Sequence, residues 1–393
     1  MKKAKVFLVL FAMIVSVISL YAGNKDKLNN CNVAAKVVTV ETDKVIVAQR
    51  SLLKDTIDLP LSELIEDLQI VLLDKADEAL VGQTLAIVSE NYIFVKCQDN
   101  NPCKLFDKKG NFITNIGTIG QGPNEYRLIY DQQIDEANKR IYLLPWQSNK
   151  LLVFDFNGKA LEPIPLCDRI PKGMFRVNKD KTVTCAMLPF KGAKAVVWTQ
   201  TQDGQLLKSI APGNLEIQPD FSNEVMSNKN SAAFDFSLFI FWGRKDYLYH
   251  YDTEKNRLVP QFTIDFGDQK MPINWYEELP NHYLMYMGEP QQISATNTVG
   301  TDYKFAILDK KTMKGAFYRL KNDFLGDISA VWPSFRDGYY VNNMDPGNLK
   351  DALEEALSKN KNMSPAMRDK LTKLKNSITE NDNNYVLYGK LKR

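Results

Sequence analysis

The run GTIGQGPNEY places Gly117, Gly120 and Gly122 at spacings that could serve a phosphate-cradling loop. Such a fingerprint needs a strand before it and a helix after it, so that helix N-terminal amides meet the anion. Here a β-type run follows, Pro123 interrupts and no Gly-Lys-Ser/Thr is present. The run therefore reads as a connection that needs unusual backbone angles. Glu125, Tyr126 and Arg127 follow directly and could meet a ligand with charge and ring, while Tyr126 equally suits a wedge between sheets. Trp146 and Trp242 fall near predicted loop tips, where exposed rings stack on sugars or peptides, although most tryptophans are core. Arg244 lies in the same tip as Trp242.

Other chemistry is thinly supported. Only two histidines occur, His250 and His282, and there is no G-x-S-x-G elbow, so a Ser-His-Asp site would have to use one of those two. His250 sits inside YLYHYD, a strand, where a packed or solvent-facing imidazole is expected. Carboxylates are plentiful, but spacing singles out no pair. A glycosidase needs two acids about 5–10 Å apart. Five cysteines are an odd number. Cys97 and Cys103 flank the polar tip QDNNP, a spacing that suits either a hairpin disulfide in an exported protein or two free thiols. Cys167 and Cys185 form a weaker candidate pair. With no C-x-x-C and two histidines, zinc is a poor fit.

The elements that must carry these residues repeat. LFDKKGNFI at 105–113 has counterparts in VFDFNGKAL at 153–161, WTQTQDGQLL at 198–207, YHYDTEKNRLV at 249–259 and ILDKKTMKGAF at 307–317. Each is an apolar run, a polar turn and a second apolar run, the pattern of a β-hairpin. The turn aspartates Asp107, Asp155, Asp203, Asp252 and Asp309 recur at intervals of 48, 48, 49 and 57 residues. A further β-rich run precedes each of the first four hairpins. Four short strands per ~40–50 residues is the period of a propeller blade. GYYVNN at 338–343 and NYVLYGKLKR at 384–393 make a sixth hairpin, split by a helical insertion over 344–383. Its first helix is marked by Leu349, Leu353, Ala356 and Leu357; its second begins at Ser364-Pro365 and continues through Met367, Leu371, Leu374 and Ile378. The N-terminal run LQIVLLD at 68–74 would complete the last blade and close the ring, leaving no long open sheet edge. The predicted fold is all-β: a six-bladed β-propeller with a small helical insertion in the last blade, over 59–393, after an N-terminal extension at 23–58.

Residues 1–22 place Lys2, Lys3 and Lys5 before an apolar run from Val6 to Leu20 and the small residue Ala22. That is the layout of a secretory signal, and the run is short of the ~20 residues that span hydrocarbon. Without those lysines, the 50 Lys+Arg against 47 Asp+Glu become equal. A neutral chain argues against sequence-independent nucleic-acid binding and against a polybasic membrane-surface role. Leu28-Asn-Asn-Cys31 shares only its Leu and Cys with a lipobox, so secretion is favoured and a lipid anchor at Cys31 is the lesser alternative.

Several segments resemble the six-bladed β-propeller proteins exported by Gram-negative gut anaerobes, related in architecture to NHL-repeat propellers. They are LPLSELIEDLQIVLLDK at 59–75, LFDKKGNFITNIGTIGQGPNEY at 105–126, QQIDEANKRIYLLPWQSNKLLVFDFNGK at 132–159 and the closing NYVLYGKLKR. The match is loose from about 211 to 300. That family usually has a lipobox close behind its signal, which this chain lacks, and the resemblance carries no catalytic residues. In a blade with strands A to D from the axis outward, the A–B and C–D turns share one face. The B–C tips and D-to-A connections share the other, and that irregular face is where binding is expected. The function expected is therefore an exported, non-enzymatic propeller that binds an envelope protein, peptide or glycan. Its candidate contacts are Glu125, Tyr126, Arg127, Trp146, Trp242 and Arg244. The alternative is a metal-dependent hydrolase or lyase whose channel holds Ca²⁺ on Asp, Glu or Asn.

Overall fold

A computed structural model describes residues 27–393, apart from 83, 97–100, 242–243, 269–270, 295–296 and 331–333. Six antiparallel sheets are arranged as the blades of a β-propeller. Blade 1 comprises Leu85–Val88, Tyr92–Lys96, Cys103–Asp107 and Phe112–Ile116. Blade 2 comprises Ile129–Asp135, Arg140–Pro145, Ser148–Asp155 and Ala160–Ile170, and blade 3 Gly173–Val177, Val183–Met187, Val197–Gln200 and Leu206–Ile210. Blade 4 is built from Glu224–Met226, Phe234–Phe239, Leu248–Asp252 and Arg257–Asp265. Blade 5 is built from Ile273–Glu278, His282–Ser294, Asn297–Asp309 and Gly315–Asn322. Each sheet is sandwiched between two others, so its middle strands bury both faces, and the polar residues they carry, such as Thr184, Asp235 and Ser237, are buried as well. Val183–Met187 and Phe234–Phe239 are buried at every position, whereas the outermost strand of blade 3, Leu206–Ile210, is exposed along most of its length.

Blade 6 contains Ser334–Arg336, Tyr339–Met344 and Tyr385–Lys390, and its outer strand is Gln69–Leu72 from the other end of the chain. The predicted ring closure is met: Tyr385 pairs with Leu72 and Leu387 with Ile70. The predicted insertion forms two helices, α1 (Pro346–Lys359) and α2 (Pro365–Ser377). Asp345 and Ser364 cap them, accepting hydrogen bonds from the Asn348 and Met367 amides, and a proline opens each helix. Leu349, Leu353, Ala356 and Leu371 face the same core as Leu61, Phe324 and Leu325, so the helical pair is a cap on the ring.

The C–D hairpins explain the sequence period. Asp107 Oδ1 accepts from the amides of Lys109 and Asn111, Asp155 Oδ1 from Asn157 and Lys159, and Asp309 Oδ1 from Lys311 and Thr312. Carboxylates placed this way mimic a backbone turn. In blade 3 the equivalent acceptor is Thr201, whose Oγ1 takes the Gln205 amide at 3.0 Å, and Asp203 sits within the turn. The true repeat position is therefore 201, two residues before the aspartate counted in the sequence. Gly110 and Gly158, three residues after their aspartates, have φ of 89° and 79°, the left-handed region that glycine enters without steric cost.

Segment 35–60 contributes more than an extension. Asp43–Gln49 runs parallel to the outer strand of blade 4, with Ala35–Val40 paired beyond it. Thr56–Pro60 runs parallel to the outer strand of blade 5. Cys31 is buried in the core cluster that contains Leu28 and Leu61, so a lipid on its sulfur would have to leave that packing. Among the described residues no disulfide is formed: Cys167 and Cys185 are unbridged, the first exposed and the second buried. Cys97 lies outside the described residues, and with it the candidate Cys97–Cys103 bridge. No helix among the described residues is long and apolar enough to cross a membrane.

Candidate ligand-binding face

The glycine-rich connection between blades 1 and 2 folds on itself. Glu125–Tyr126 pairs in parallel with Thr118–Ile119, and Glu125 Oε2 accepts the Gly122 amide at 2.8 Å. A Cβ on Gly120 would overlap that carboxylate, which explains the glycine. Tyr126 is buried at 4% exposure; its hydroxyl donates to the Ile116 carbonyl at 2.5 Å and accepts from the Cys103 amide at 2.7 Å. Gly117, at φ 70°, leaves room for the rings of Tyr126 and Phe154. Tyr126 thus acts as the inter-blade wedge, while Glu125 and Arg127 remain on the surface. Arg244 is also tied down: it donates to the Leu215 carbonyl at 3.0 Å and pairs with Asp246 at 3.2 Å. Trp242 lies outside the described residues.

Trp146 is different. It stands at the B–C tip of blade 2 at 46% exposure, edge-on to Phe221 with ring centroids 6.4 Å apart. Phe221 is 48% exposed and rests on Phe190, 5.4 Å away, in the B–C loop of blade 3. Leu128, whose carbonyl accepts the Trp146 amide, is exposed beside them. Three blades therefore assemble a half-exposed aromatic platform on the predicted face. Phe221 is fixed from below: the buried Lys172 ammonium donates to the Phe221 carbonyl at 2.6 Å and the Asn223 carbonyl at 3.1 Å, and it contacts Glu224. Sequence reading did not single out Phe221 or Phe190, because they lie in irregular connections with no periodic context.

The channel is closed toward the A–B face by a buried ion cluster. Asp131, on the innermost strand of blade 2, accepts from Lys229 at 2.8 and 3.0 Å, from the Phe175 amide at 2.9 Å, and from Arg336. Burial opposes ionisation of Asp131, but the two cations outweigh it and hold the carboxyl below the usual range. Lys229 belongs to the A–B loop of blade 4, 227–233, which folds across the channel. Its Asn228 and Asn230 amides donate to the Glu278 carbonyl, and Asn230 also reaches the Phe335 carbonyl. A Ca²⁺ ion on Asp131 would have to displace a lysine and an arginine. Among the described residues no three His, Cys, Asp or Glu side chains converge to hold a metal ion.

On the A–B face a cleft of about 370 Å³ is lined by Ser89, Glu90, Gln133, Asn230, Tyr339 and Arg393, among others. The two imidazoles lie elsewhere, each against a carboxylate. His250 Nε2 is 2.6 Å from Glu278, whose other oxygen contacts Lys310 at 2.6 Å, and His282 Nε2 is 3.8 Å from Asp309. Glu278, the carboxylate beside His250, ends the innermost strand of blade 5, and His282 opens the next strand.

The six-bladed ring defines the class of protein, an all-β propeller. The chain belongs to the family described as Domain of unknown function (DUF4934), which matches residues 43–390. The crystal structure of a Bacteroides fragilis protein, whose name marks it as expected to be exported, aligns with a TM-score of 0.57 and 17% identity. The alignment covers 87% of this chain and 99% of that one. A member of the DUF4221 family from Bacteroides vulgatus is similar at a TM-score of 0.43 and 12% identity, covering 84% of this chain and 97% of that one. No curated protein matches the chain. The resemblance to exported six-bladed propellers of gut anaerobes is thereby met at the level of family and fold.

Proposed function

We propose that this chain is an exported, non-enzymatic propeller that binds a ligand or protein partner through its B–C face. The observation that carries the reading is the pair Trp146 and Phe221, each about half exposed and in edge contact across two blades. Large rings left in water cost free energy, of order 25 cal/mol per Å² of apolar surface, that covering by a ligand recovers. The blades hold the rings rigidly, so little ordering is needed on binding. Export is supported by the signal-like residues 1–22 and by the expected export of the B. fragilis neighbour. The test is to probe glycan and peptide arrays with residues 23–393, as wild type and as Trp146→Ala/Phe221→Ala. Binding that disappears in the double variant, with the melting temperature kept, supports the reading; array binding indifferent to both rings overturns it.

A further inference from the structure

The cleft on the A–B face, about 370 Å³ in volume, falls in the ~300–1,000 Å³ range of small-molecule sites. Residues from five blades line it, Asn230 of the channel-closing loop among them. The amides on its floor already have partners. Asn230 Oδ1 accepts the Gly338 amide at 2.8 Å while its Nδ2 donates to the Glu278 and Phe335 carbonyls, and Gln133 is held at both ends of its amide by the Val177 backbone. Recognition therefore falls to the walls, which carry four charged side chains, Glu90, Asp337, Lys390 and Arg393. Among the described residues none of the four forms an ion pair with another. Asp337 has Arg336 at 3.3 Å and Glu90 accepts from the Tyr339 hydroxyl at 3.4 Å, whereas the Lys390 and Arg393 side chains have no partner among the described residues. Lys108, a further cation nearby, donates to the Ser89 carbonyl and lies 4.6 and 4.5 Å from the ring centres of Tyr339 and Tyr388. Tyr339 is the register partner of Lys390 on the adjoining strand, so both side chains leave the same face of blade 6, and its hydroxyl ends at Glu90. A ring fixed by Lys108 thus separates the Glu90 carboxylate from the strand that bears Lys390.

Charges of both signs that line one cleft without neutralising one another are matched together only by a ligand that has both. We propose that the cleft binds a zwitterion, a free dipeptide, with its ammonium at Glu90 and its carboxylate at Lys390 and Arg393. A single amino acid fits less well, because its two charges sit on one carbon while Tyr339 holds the two walls a side chain's length apart. Charge-assisted hydrogen bonds in a concave site are stronger than in open water, and Ile134, Pro280 and Leu391 supply apolar wall for the dipeptide side chains. The site is separate from the platform on the opposite face. Peptides tethered through one terminus lack one of the two charges, so arrays do not probe it.

Isothermal titration of residues 23–393 with leucyl-leucine, N-acetyl-leucyl-leucine and leucyl-leucinamide tests it. Wild type is expected to bind the free dipeptide at least tenfold more tightly than either capped form, and more weakly at high salt. Glu90→Gln is expected to bind the free and the acetylated dipeptide equally, and Lys390→Met/Arg393→Met the free dipeptide and the amide equally. All three side chains are exposed, so both variants should keep the wild-type melting temperature. No binding of the free dipeptide, equal binding of the three ligands to wild type, or an affinity unchanged in both variants overturns the zwitterion site. Dipeptide binding that is lost in Trp146→Ala/Phe221→Ala would place the ligand on the platform and overturn the assignment to the cleft.

Discussion

Removing the Asp131 carboxylate is the sharpest perturbation the fold allows, because three blades meet on it. Asp131 is 4% exposed and Lys229 7%, while Arg336, at 20%, keeps a second partner in Asp337 at 3.3 Å. Asp131→Ala strands Lys229 completely and Arg336 in part, and it orphans the Phe175 amide. Breaking a buried pair by deleting one member costs about 3–5 kcal/mol; the partial exposure of Arg336 places this case near the lower end, about 3 kcal/mol. Taking both charges away together, as Asp131→Leu/Lys229→Met, leaves Arg336 with Asp337 and fills the space with apolar atoms. That variant should cost at least ~1–2 kcal/mol less than the sum of its single changes. Urea unfolding of Asp131→Ala and of the four proteins of the Asp131→Leu/Lys229→Met cycle at pH 7 gives the comparison. A loss under ~1 kcal/mol for Asp131→Ala, or additivity within ~0.5 kcal/mol, would refute the idea that the cluster locks the channel.

Three further outcomes are expected. Burial works against the charge on Asp382, but hydrogen bonds from Lys75, Thr379 and Tyr385 overcome it and hold the carboxyl well below the usual range. Its folded value is depressed, so its contribution is present above about pH 4 and is lost progressively as the solution is acidified further; Asp382→Asn should cost ~2 kcal/mol at pH 7 and steadily less as the pH falls from about 4 to about 2 in denaturant titrations. Asp235 is the opposite case: burial first, then the Glu278 charge, push its carboxyl up to about 6, so wild type loses stability as pH rises from about 4 to 6. Asp235→Asn should therefore be ~1–3 kcal/mol more stable than wild type at pH 8 and equal to it at pH 4. Gly110, at φ 89°, packs against the Leu72 carbonyl where the ring closes, and its own carbonyl accepts the Asp74 amide. Gly110→Ala should lower stability by at least ~1–3 kcal/mol, read from the unfolding midpoint.

The parts of the fold legible in the sequence were those with local causes. Asx turns at Asp107 and Asp155 recur because each blade needs the same tight turn, and Ser364-Pro365 marks a helix start because cap and first-turn chemistry are local. Strands 35–40 and 43–49 were not separated from a plain extension: the first lies at the rim of blade 4 largely in water, and the second, although its Val45, Val47 and Ala48 are buried, finds its partner strand more than 200 residues away. The channel cluster was hidden for another reason: Lys229 and Arg336 reach Asp131 across 98 and 205 residues, and no short pattern encodes such contacts. Of the candidate contacts, Tyr126 and Arg244 have their polar groups engaged by the scaffold, whereas Trp146 stands in the platform. An aromatic residue in a tip can serve either purpose, and only its neighbours decide which.

The most direct test of the binding face is hydroxyl-radical footprinting of the wild-type chain with and without the strongest binder from the arrays, resolved by peptide mass spectrometry. The account predicts protection of Trp146 and Phe221, with Tyr339 in the opposite cleft unchanged. Protection of Tyr339 and its neighbours, with the two platform rings still oxidised at the free rate, would contradict it and move the site to the A–B face.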